Sequence, residues 1–113
     1  MGADRKLIGT LGERFAAAIL FSEGWRIRER NFRCAAGEID IIAEDGAGCL
    51  CFVEVKTRMS RYTGRPAEAV DRNKQRRIRL AAQWYLAQKS LVERQVQFMV
   101  FEIRAETTFA SFL

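Results

Sequence analysis

Apolar residues along this chain recur with two different periods, and the period changes several times between the two termini. In two stretches they return every three to four positions, which is the spacing of an amphipathic helix. In five others they alternate with polar residues or form short runs, which is typical of strands. The predicted helices span residues 4–23 and 73–90, and the predicted strands span residues 25–31, 38–44, 50–57, 96–103 and 107–113.

Turn residues separate several of these elements. Gly24 ends the first helix, and residues 45–48 (Asp-Gly-Ala-Gly) predict a hairpin between the second and third strands. Residues 59–65 have little periodicity and are expected to form a loop, after which Pro66 can begin a helical turn. The order α-β-β-β-α-β-β has no repeat or linker. It predicts one α/β domain over residues 1–113, with a mixed central β-sheet flanked by helices that bury their apolar stripes on it.

The composition removes several classes of function. The chain contains no histidine, which excludes a Ser-His-Asp triad, a Cys-His dyad and a histidine-ligated metal. Its three cysteines argue against a disulfide framework and lack a usual fourth ligand for zinc. Cys49 and Cys51 alternate along a predicted strand, as small buried residues do. The longest apolar run, residues 15–21, is short of the ~20 residues of a membrane span, and no signal peptide is recognisable, so we expect a cytoplasmic protein without a membrane partner.

The net charge of +5 is concentrated in one segment. Residues 58–79 contain eight basic and two acidic residues, a net charge of +6. Such a block indicates either a polyanion-binding surface or a solvated helix face, and charge alone favours neither. Trp84 and Tyr85 could stack on bases, although aromatic residues at helical spacing more often belong to a core. The residues that would contact phosphates without reading bases are Arg58, Arg72, Lys74, Arg76, Arg77 and Arg79.

Charged side chains interrupt two otherwise apolar strands. Asp40 lies on the second predicted strand, and Glu54 and Lys56 lie two positions apart on the third, so Glu54 and Lys56 share a face. The short hairpin makes the two strands neighbours, ~4.8 Å apart, and Asp40 and Glu54 can converge if the register allows it. Two close carboxylates repel each other unless a cation or a proton lies between them.

A hard divalent ion, Mg²⁺ or Mn²⁺, would fit between such carboxylates. Asp40 and Glu54 would be its direct ligands, with the Val55 carbonyl as a candidate third ligand. Lys56 would orient the attacking water, stabilise its ionised form or neutralise charge on the transition state. The alternative is an ordinary surface salt bridge, since exposed Glu-x-Lys pairs are common on strands and contribute ~0–1 kcal/mol.

These residues resemble a known signature. Asp40 followed by Glu54-Val55-Lys56 is similar to the PD-(D/E)xK nuclease motif, which implies a restriction-endonuclease-like fold. More closely, the chain resembles the bacterial YraN family from residue 9 to residue 113. The segments that carry this resemblance are Gly9-x-x-Gly12-Glu13-x-x-Ala16, Arg30-Asn31, Gly37-Glu38-Ile39-Asp40, Phe52-Val53-Glu54-Val55-Lys56-x-Arg58, Gly64-x-Pro66 and Lys74.

The resemblance extends to archaeal Holliday-junction resolvases. Their helix glutamate, aspartate and Glu-x-Lys set matches Glu13, Asp40, Glu54 and Lys56. It implies that Glu13 is a water-mediated ligand or a nearby acid, although an exposed helix acid paired with a neighbour is nearly as good an interpretation. In one respect the chain departs from the family: Gln97-Phe98-Met99 stands where the family usually has Arg-Phe-Asp, which puts any role of that arginine and aspartate in doubt.

Two classes of function follow. The first is a metal-dependent nuclease that hydrolyses phosphodiester bonds in DNA, with branched DNA as a candidate substrate. The second is a nucleic-acid-binding protein of the same fold with little or no hydrolysis. The set Asp40, Glu54 and Lys56 favours the nuclease, because a pure binding module does not need it. A third class, an interaction module for an acidic protein, differs in the salt dependence of DNA binding. We expect nucleic acid, above all DNA, as the partner, and a homodimer stays open.

Overall fold

Five strands form one mixed β-sheet, and two helices pack on its opposite faces. The structure, a computed structural model, describes residues 2–58, 70–104 and 108–113. Each predicted helix and strand is confirmed, with ends displaced by at most three residues. The predicted loop over residues 59–65, the turn at Pro66 and Thr107 lie outside the described residues. The elements are α1 (Gly2–Ser22), β1 (Arg26–Cys34), β2 (Gly37–Glu44), β3 (Leu50–Arg58), α2 (Arg72–Gln88), β4 (Val96–Arg104) and β5 (Thr108–Phe112).

The strands lie in the order in which they occur along the chain, β1-β2-β3-β4-β5. β3 and β4 run parallel, and every other neighbouring pair is antiparallel. Parallel strands cannot be joined by a tight hairpin, so the chain between them must cross a face of the sheet, and α2 lies on that crossover. The predicted α/β class, with a mixed sheet between helices, is confirmed, and the restriction-endonuclease-like architecture stays a prediction from the resemblance.

The sheet separates two apolar cores. Alternate residues of β3 contribute to opposite cores, as the pleat of a strand requires: Phe52 packs with α2, and Val53 packs with α1. The apolar face predicted for α2 is confirmed, because its buried residues are Ile78, Ala81, Ala82 and Tyr85. Among the described residues, neither helix combines the length and the apolar character that crossing a bilayer would require.

The three cysteines are free thiols, as the sequence predicts. Cys51 is fully buried in the α1-facing core, and this burial raises its pKa to about 12. Cys49, just before β3, is only half-buried, so the prediction of a buried residue is confirmed for Cys51 and only partly for Cys49. The Cys51 thiol therefore packs as a small apolar residue.

β1 departs from regular alternation at two places. A register shift lies next to Arg28, and Asn31 has a positive φ of 55°. Arg28 reaches α2, where its Nε donates a hydrogen bond of 3.0 Å to the Tyr85 hydroxyl. The strand was predicted to end at residue 31 and instead continues to Cys34, because its pairing with β2 extends to the turn between them.

α1 approaches β3 closely at Gly12. A Cβ atom at Gly12 would overlap Thr57 Oγ1 and lie 3.3 Å from Thr57 Cβ. A Cβ atom at Gly9, earlier on the same helix, would meet no heavy atom within 4 Å in the described part of the chain. The missing side chain at Gly12 thus sets how near α1 lies to the sheet, and therefore where the next residue, Glu13, is placed.

Replacing Gly12 by alanine should lower the free energy of unfolding by ~1–3 kcal/mol, because the added methyl group must push α1 away from β3. Gly9→Ala is the matched control and should be neutral or stabilising by up to ~1 kcal/mol, because alanine is the better helix former. Urea unfolding measures both variants. Thr57→Ala in the Gly12→Ala background should recover part of the loss, and equal stability of the two glycine variants would contradict the close approach.

Candidate active site

Asp40 lies where the paired part of β2 and β3 ends. The last pair of this antiparallel ladder is Ile41↔Val53, and one further step would place Asp40 opposite Glu54. The Val55 N–H donates a hydrogen bond of 2.8 Å to Asp40 Oδ2. The Asp40 carboxylate thus satisfies a main-chain donor beyond the end of the ladder. The convergence of Asp40 and Glu54 that the hairpin predicts is observed, while their assignment as metal ligands stays a prediction.

Glu54 is a buried carboxyl group beside two lysines. Its side chain is 6% exposed, and its Oε1 lies 3.8 Å from Lys56 Nζ and 3.4 Å from Lys74 Nζ. Its Oε2 is buried and has no hydrogen-bond partner among the described residues. The alternative of an ordinary surface salt bridge requires an exposed acid, and the burial of Glu54 argues against it.

Burial dominates the protonation of both carboxyl groups. Loss of water raises the pKa of Glu54 to about 7; the charge of Asp40 adds to this increase, and the two lysines offset it only in part. Burial also raises the pKa of Asp40, against the lowering effect of the Val55 hydrogen bond. A divalent cation would stabilise both ionised forms, and two carboxylates are a donor set that suits Mg²⁺.

α1 brings Glu13 to the same carboxyl pair. Partial burial and the neighbouring charge of Asp40 raise the pKa of Glu13, whereas Arg30 lowers it. Glu13 is half-buried, in contrast to the exposed Glu38, which pairs with Arg33 over 3.4 Å. In the part of the chain that the structure describes, no three acidic or cysteine side chains are grouped to hold one ion. The role of Glu13 as a water-mediated ligand stays a prediction.

Lys74 lies nearer to the carboxyl pair than the charge pattern predicts. The sequence places it among the exposed phosphate contacts, yet its Nζ reaches Glu54. Asp71 caps α2, and its side chain accepts a 2.8 Å hydrogen bond from the Lys74 main-chain N–H. The aspartate three residues earlier is a sequence signal that marks Lys74 as a first-turn residue. Which strand the first turn of α2 faces depends on how the helix packs on the sheet, and the sequence does not show this.

The other basic residues of α2 are exposed. Arg72, Arg76 and Arg77 project from the helix surface. The guanidinium group of Arg79 lies 4.5 Å from the centroid of the Phe98 ring, a cation–π contact that orients it. All four are accessible to a polyanion, and their contact with phosphates stays a prediction.

Glu102 forms a second buried carboxyl group, which sequence reasoning did not single out. It lies on β4, fully buried, with its Oε1 2.5 Å from Arg104 Nε and 3.8 Å from Arg58 Nε. Arg58, predicted to contact phosphate, is therefore also part of this ion cluster. No periodicity distinguishes Glu102 from a solvated strand residue, so only the structure reveals its burial.

Gln97 and Met99, where the resemblance implies a departure from the family pattern, both lie on β4. Met99 is 6% exposed and packs in the core that faces α1, with Val53 as its neighbour in register on β3. Gln97 is next to Cys51 in the same parallel pairing. One of the two positions is therefore in the core and the other is half-buried, and neither belongs to the pair Asp40 and Glu54.

Comparisons with known proteins identify relatives over most of the chain. The model of the uncharacterised protein family UPF0102 matches residues 12–104. The UPF0102 protein of Moorella thermoacetica is 44% identical over 103 residues, which is 91% of this chain and 85% of the relative. That of Trichlorobacter lovleyi is 43% identical over 103 residues, 91% and 81% of the two chains. A solved structure of Pyrococcus furiosus SfsA in complex with Ca²⁺ has a TM-score of 0.37 at 14% identity, covering 96% of this chain and 62% of that one, which is too distant to support an argument.

Stability should fall as Glu54 ionises. Folding raises its pKa from 4.5 to about 7, so the native state binds more protons than the unfolded state, and the free energy of unfolding decreases as the pH rises through this interval. Glu54→Gln should therefore be more stable than the wild type at about pH 8 by on the order of 1 kcal/mol, and this advantage should shrink towards about pH 5. Urea unfolding in the presence of EDTA measures the difference.

The matched control for this comparison is Glu23→Gln, because Glu23 is exposed just after α1. It should change stability by a similar small amount at both pH values. If the stability of Glu54→Gln relative to the wild type did not increase towards the higher pH, folding would not raise the pKa of Glu54.

Proposed function

This chain belongs to the uncharacterised family UPF0102, the YraN family, and from that premise we propose that it is a metal-dependent nuclease that hydrolyses phosphodiester bonds in DNA. The observation that carries the proposal is the carboxyl pair of the half-buried Asp40 and the buried Glu54, both with raised pKa values, beside Lys56. A structural salt bridge gives no reason to place a second acid beside the buried Glu54, because the charge of Asp40 raises the cost of ionising Glu54. A cation-binding role gives such a reason, because a cation between the two carboxylates stabilises both ionised forms.

In this proposal Asp40 and Glu54 would hold Mg²⁺ or Mn²⁺, the Val55 carbonyl would be a further ligand, and Glu13 would act as a water-mediated ligand. When bound, the ion would supply Lewis-acid polarisation of the phosphate and activation of water. Lys56, with its Nζ 3.8 Å from Glu54 Oε1, orients the attacking water and stabilises the negative charge that grows on the phosphate in the transition state.

The basic residues of α2 serve the same proposal by binding the substrate backbone. Lys74 reaches from the first turn of α2 to Glu54, and Arg76 and Arg77 extend the positive surface along the helix. Contacts to phosphate fix the position of DNA without reading its sequence. The exposed arginines support equally well a second candidate, a nucleic-acid-binding protein of the same fold that hydrolyses little or nothing.

Lys56→Ala should lower the rate of DNA cleavage by ~10²–10³, because it removes one group that stabilises charge in the transition state. Folding and DNA affinity should be preserved, since Lys56 is one of nineteen basic residues and does not ligate the ion. Cleavage of branched, flapped, single-stranded and duplex DNA with Mg²⁺ or Mn²⁺ is the measurement, and DNA affinity is determined on the same preparation.

Lys6→Ala is the control, because Lys6 is exposed on α1 and its loss removes the same charge. Full cleavage by Lys56→Ala would refute the mechanism. Binding of DNA by the wild type without cleavage of any of these substrates would support the second candidate instead.

A divalent ion should bind between Asp40 and Glu54 in the absence of DNA. Calorimetric titration with Mn²⁺ should give a binding isotherm for the wild type and none for the Asp40→Asn, Glu54→Gln double variant, because neutral side chains are poor ligands for a hard cation. The Glu23→Gln, Glu93→Gln double variant loses the same charge from exposed positions and should bind Mn²⁺ like the wild type. Equal isotherms for the two double variants would show that the ion does not bind between Asp40 and Glu54.

A further inference from the structure

Trp84 exposes 55% of its surface on α2, whereas the adjacent Tyr85 is 1% exposed in the core. The sequence interpretation that favours a core position is therefore confirmed for Tyr85 and wrong for Trp84. Among the residues that the structure describes, the Trp84 side chain makes no hydrogen bond and no ring contact. Single exposed apolar side chains are common on proteins, so the surroundings of Trp84 decide whether it has a role.

Trp84 lines a cavity of about 880 Å³ between α2 and the edge strand β1, with Gln83 beside it on α2 and Lys89 just after the helix. A second cavity of about 340 Å³ lies between the start of α2 and the end of β1. Arg33 and Cys34 line both cavities. The two cavities are therefore neighbours along α2 and β1, and we name the surface that they form together the α2–β1 groove.

The α2–β1 groove leads to the candidate active site. Lys74 lines its smaller cavity, and the same side chain lies 3.4 Å from Glu54 Oε1. From Lys74 to Trp84 the helix rises by about 15 Å, at ~1.5 Å per residue. A chain-like ligand in the groove would extend from the carboxyl pair at one end to the indole ring at the other.

The lining of the α2–β1 groove carries more positive than negative charge. Arg33 pairs with Glu38 over 3.4 Å, but its side chain is 78% exposed and stays accessible to a ligand. Proteins that bind single-stranded nucleic acid combine a positively charged groove for the backbone with aromatic rings on which bases stack. The charged residues that line the groove are the basic Arg33, Lys74, Arg77 and Lys89 and the acidic Glu29 and Glu38.

We propose that the α2–β1 groove binds an unpaired DNA strand. One base of the strand stacks on Trp84, and phosphates of the strand contact Lys74 and Arg77. This inference rests on the proposed nuclease function for the choice of DNA. It goes further by naming the substrate class: DNA in which unpaired nucleotides adjoin the cleaved bond, as in flaps and branched structures.

The indole ring favours an unpaired strand over intact duplex. Within a duplex each base is stacked between its neighbours, and a side chain outside the helix can stack on a base only after the base leaves the stack, which has an unstacking cost. Unpaired bases have free faces, and stacking on an aromatic ring is available to all of them. A duplex without ends should therefore gain nothing from Trp84.

The test compares binding of labelled single-stranded oligothymidylate with binding of a DNA dumbbell whose two duplex ends are closed by ethylene-glycol linkers, so that it has neither free ends nor unpaired bases. Fluorescence anisotropy in EDTA gives both affinities without cleavage. Trp84→Ala should weaken oligothymidylate binding by roughly 5- to 150-fold, the range expected for loss of one base–aromatic stack, and should leave dumbbell binding unchanged. Trp84→Phe should retain part of the affinity. Phe21→Ala removes an aromatic ring that is 72% exposed on α1, outside the groove, and should have no effect on either ligand.

A second measurement observes the ring itself. The chain has two tryptophans, so Trp25→Phe leaves Trp84 as the sole indole fluorophore. Oligothymidylate should quench its fluorescence at concentrations that match the anisotropy curve, and the dumbbell should not. Quenching by both ligands, or by neither, would overturn the assignment to unpaired DNA.

These experiments distinguish a failure of the groove proposal from a failure of the nuclease proposal. Cleavage of DNA with equal oligothymidylate binding by wild type and Trp84→Ala would overturn the groove proposal alone. Binding that depends on Trp84, without cleavage of any substrate, would support the groove and refute the nuclease. Equal losses on oligothymidylate and dumbbell, or tighter binding of oligouridylate than of oligothymidylate, would overturn the assignment of the groove to unpaired DNA.

Discussion

The hydrogen bond from the Val55 N–H to Asp40 Oδ2 forms where the pairing of β2 and β3 ends, and the candidate site depends on it. It holds the Asp40 carboxylate at the end of the ladder, next to the buried Glu54. A strand donor that would otherwise lack its ladder partner is satisfied by a side chain, which makes the acid part of the sheet. The position of Asp40 is therefore as rigid as the two strands that carry it.

The cost of this arrangement is visible in a comparison of two buried acids. Glu102 has its Oε1 within ion-pair distance of Arg58 and Arg104 and has no acidic neighbour on the adjoining strand position, which Lys56 occupies. Glu54 faces Asp40 and two lysines, and burial raises its pKa to about 7. Each of the two acids keeps a buried second oxygen without a hydrogen-bond partner among the described residues, so that feature alone does not mark a site. The pairing of two acids marks it, because a second negative charge makes the burial of the first more costly.

Both helices contribute to the site, and they do so from opposite faces of the sheet. α1 comes close to β3 because Gly12 has no side chain to meet Thr57, and Glu13 follows directly. α2 begins at the cap formed by Asp71, and its first turn carries Lys74 to Glu54. The continuation of α2 then forms one wall of the α2–β1 groove. A single helix thus connects the carboxyl pair with the exposed ring of Trp84.

Much of this protein follows from its sequence, because strand alternation and helical period are local properties. They place Glu54 and Lys56 on one face, put Asp40 on the neighbouring strand, and identify the buried face of α2. The resemblance adds Glu13 to the same set. What the sequence does not determine is which distant side chains meet, since this depends on packing across the sheet. The approach of Lys74 to Glu54 and the groove beside Trp84 arise only when α2 docks on the sheet. The burial of Glu102 and the irregular course of β1 are likewise seen only in the assembled structure. The period of a segment shows on which face of a helix or strand each residue lies. Only the tertiary structure decides what that face contacts, because those contacts depend on packing between distant segments.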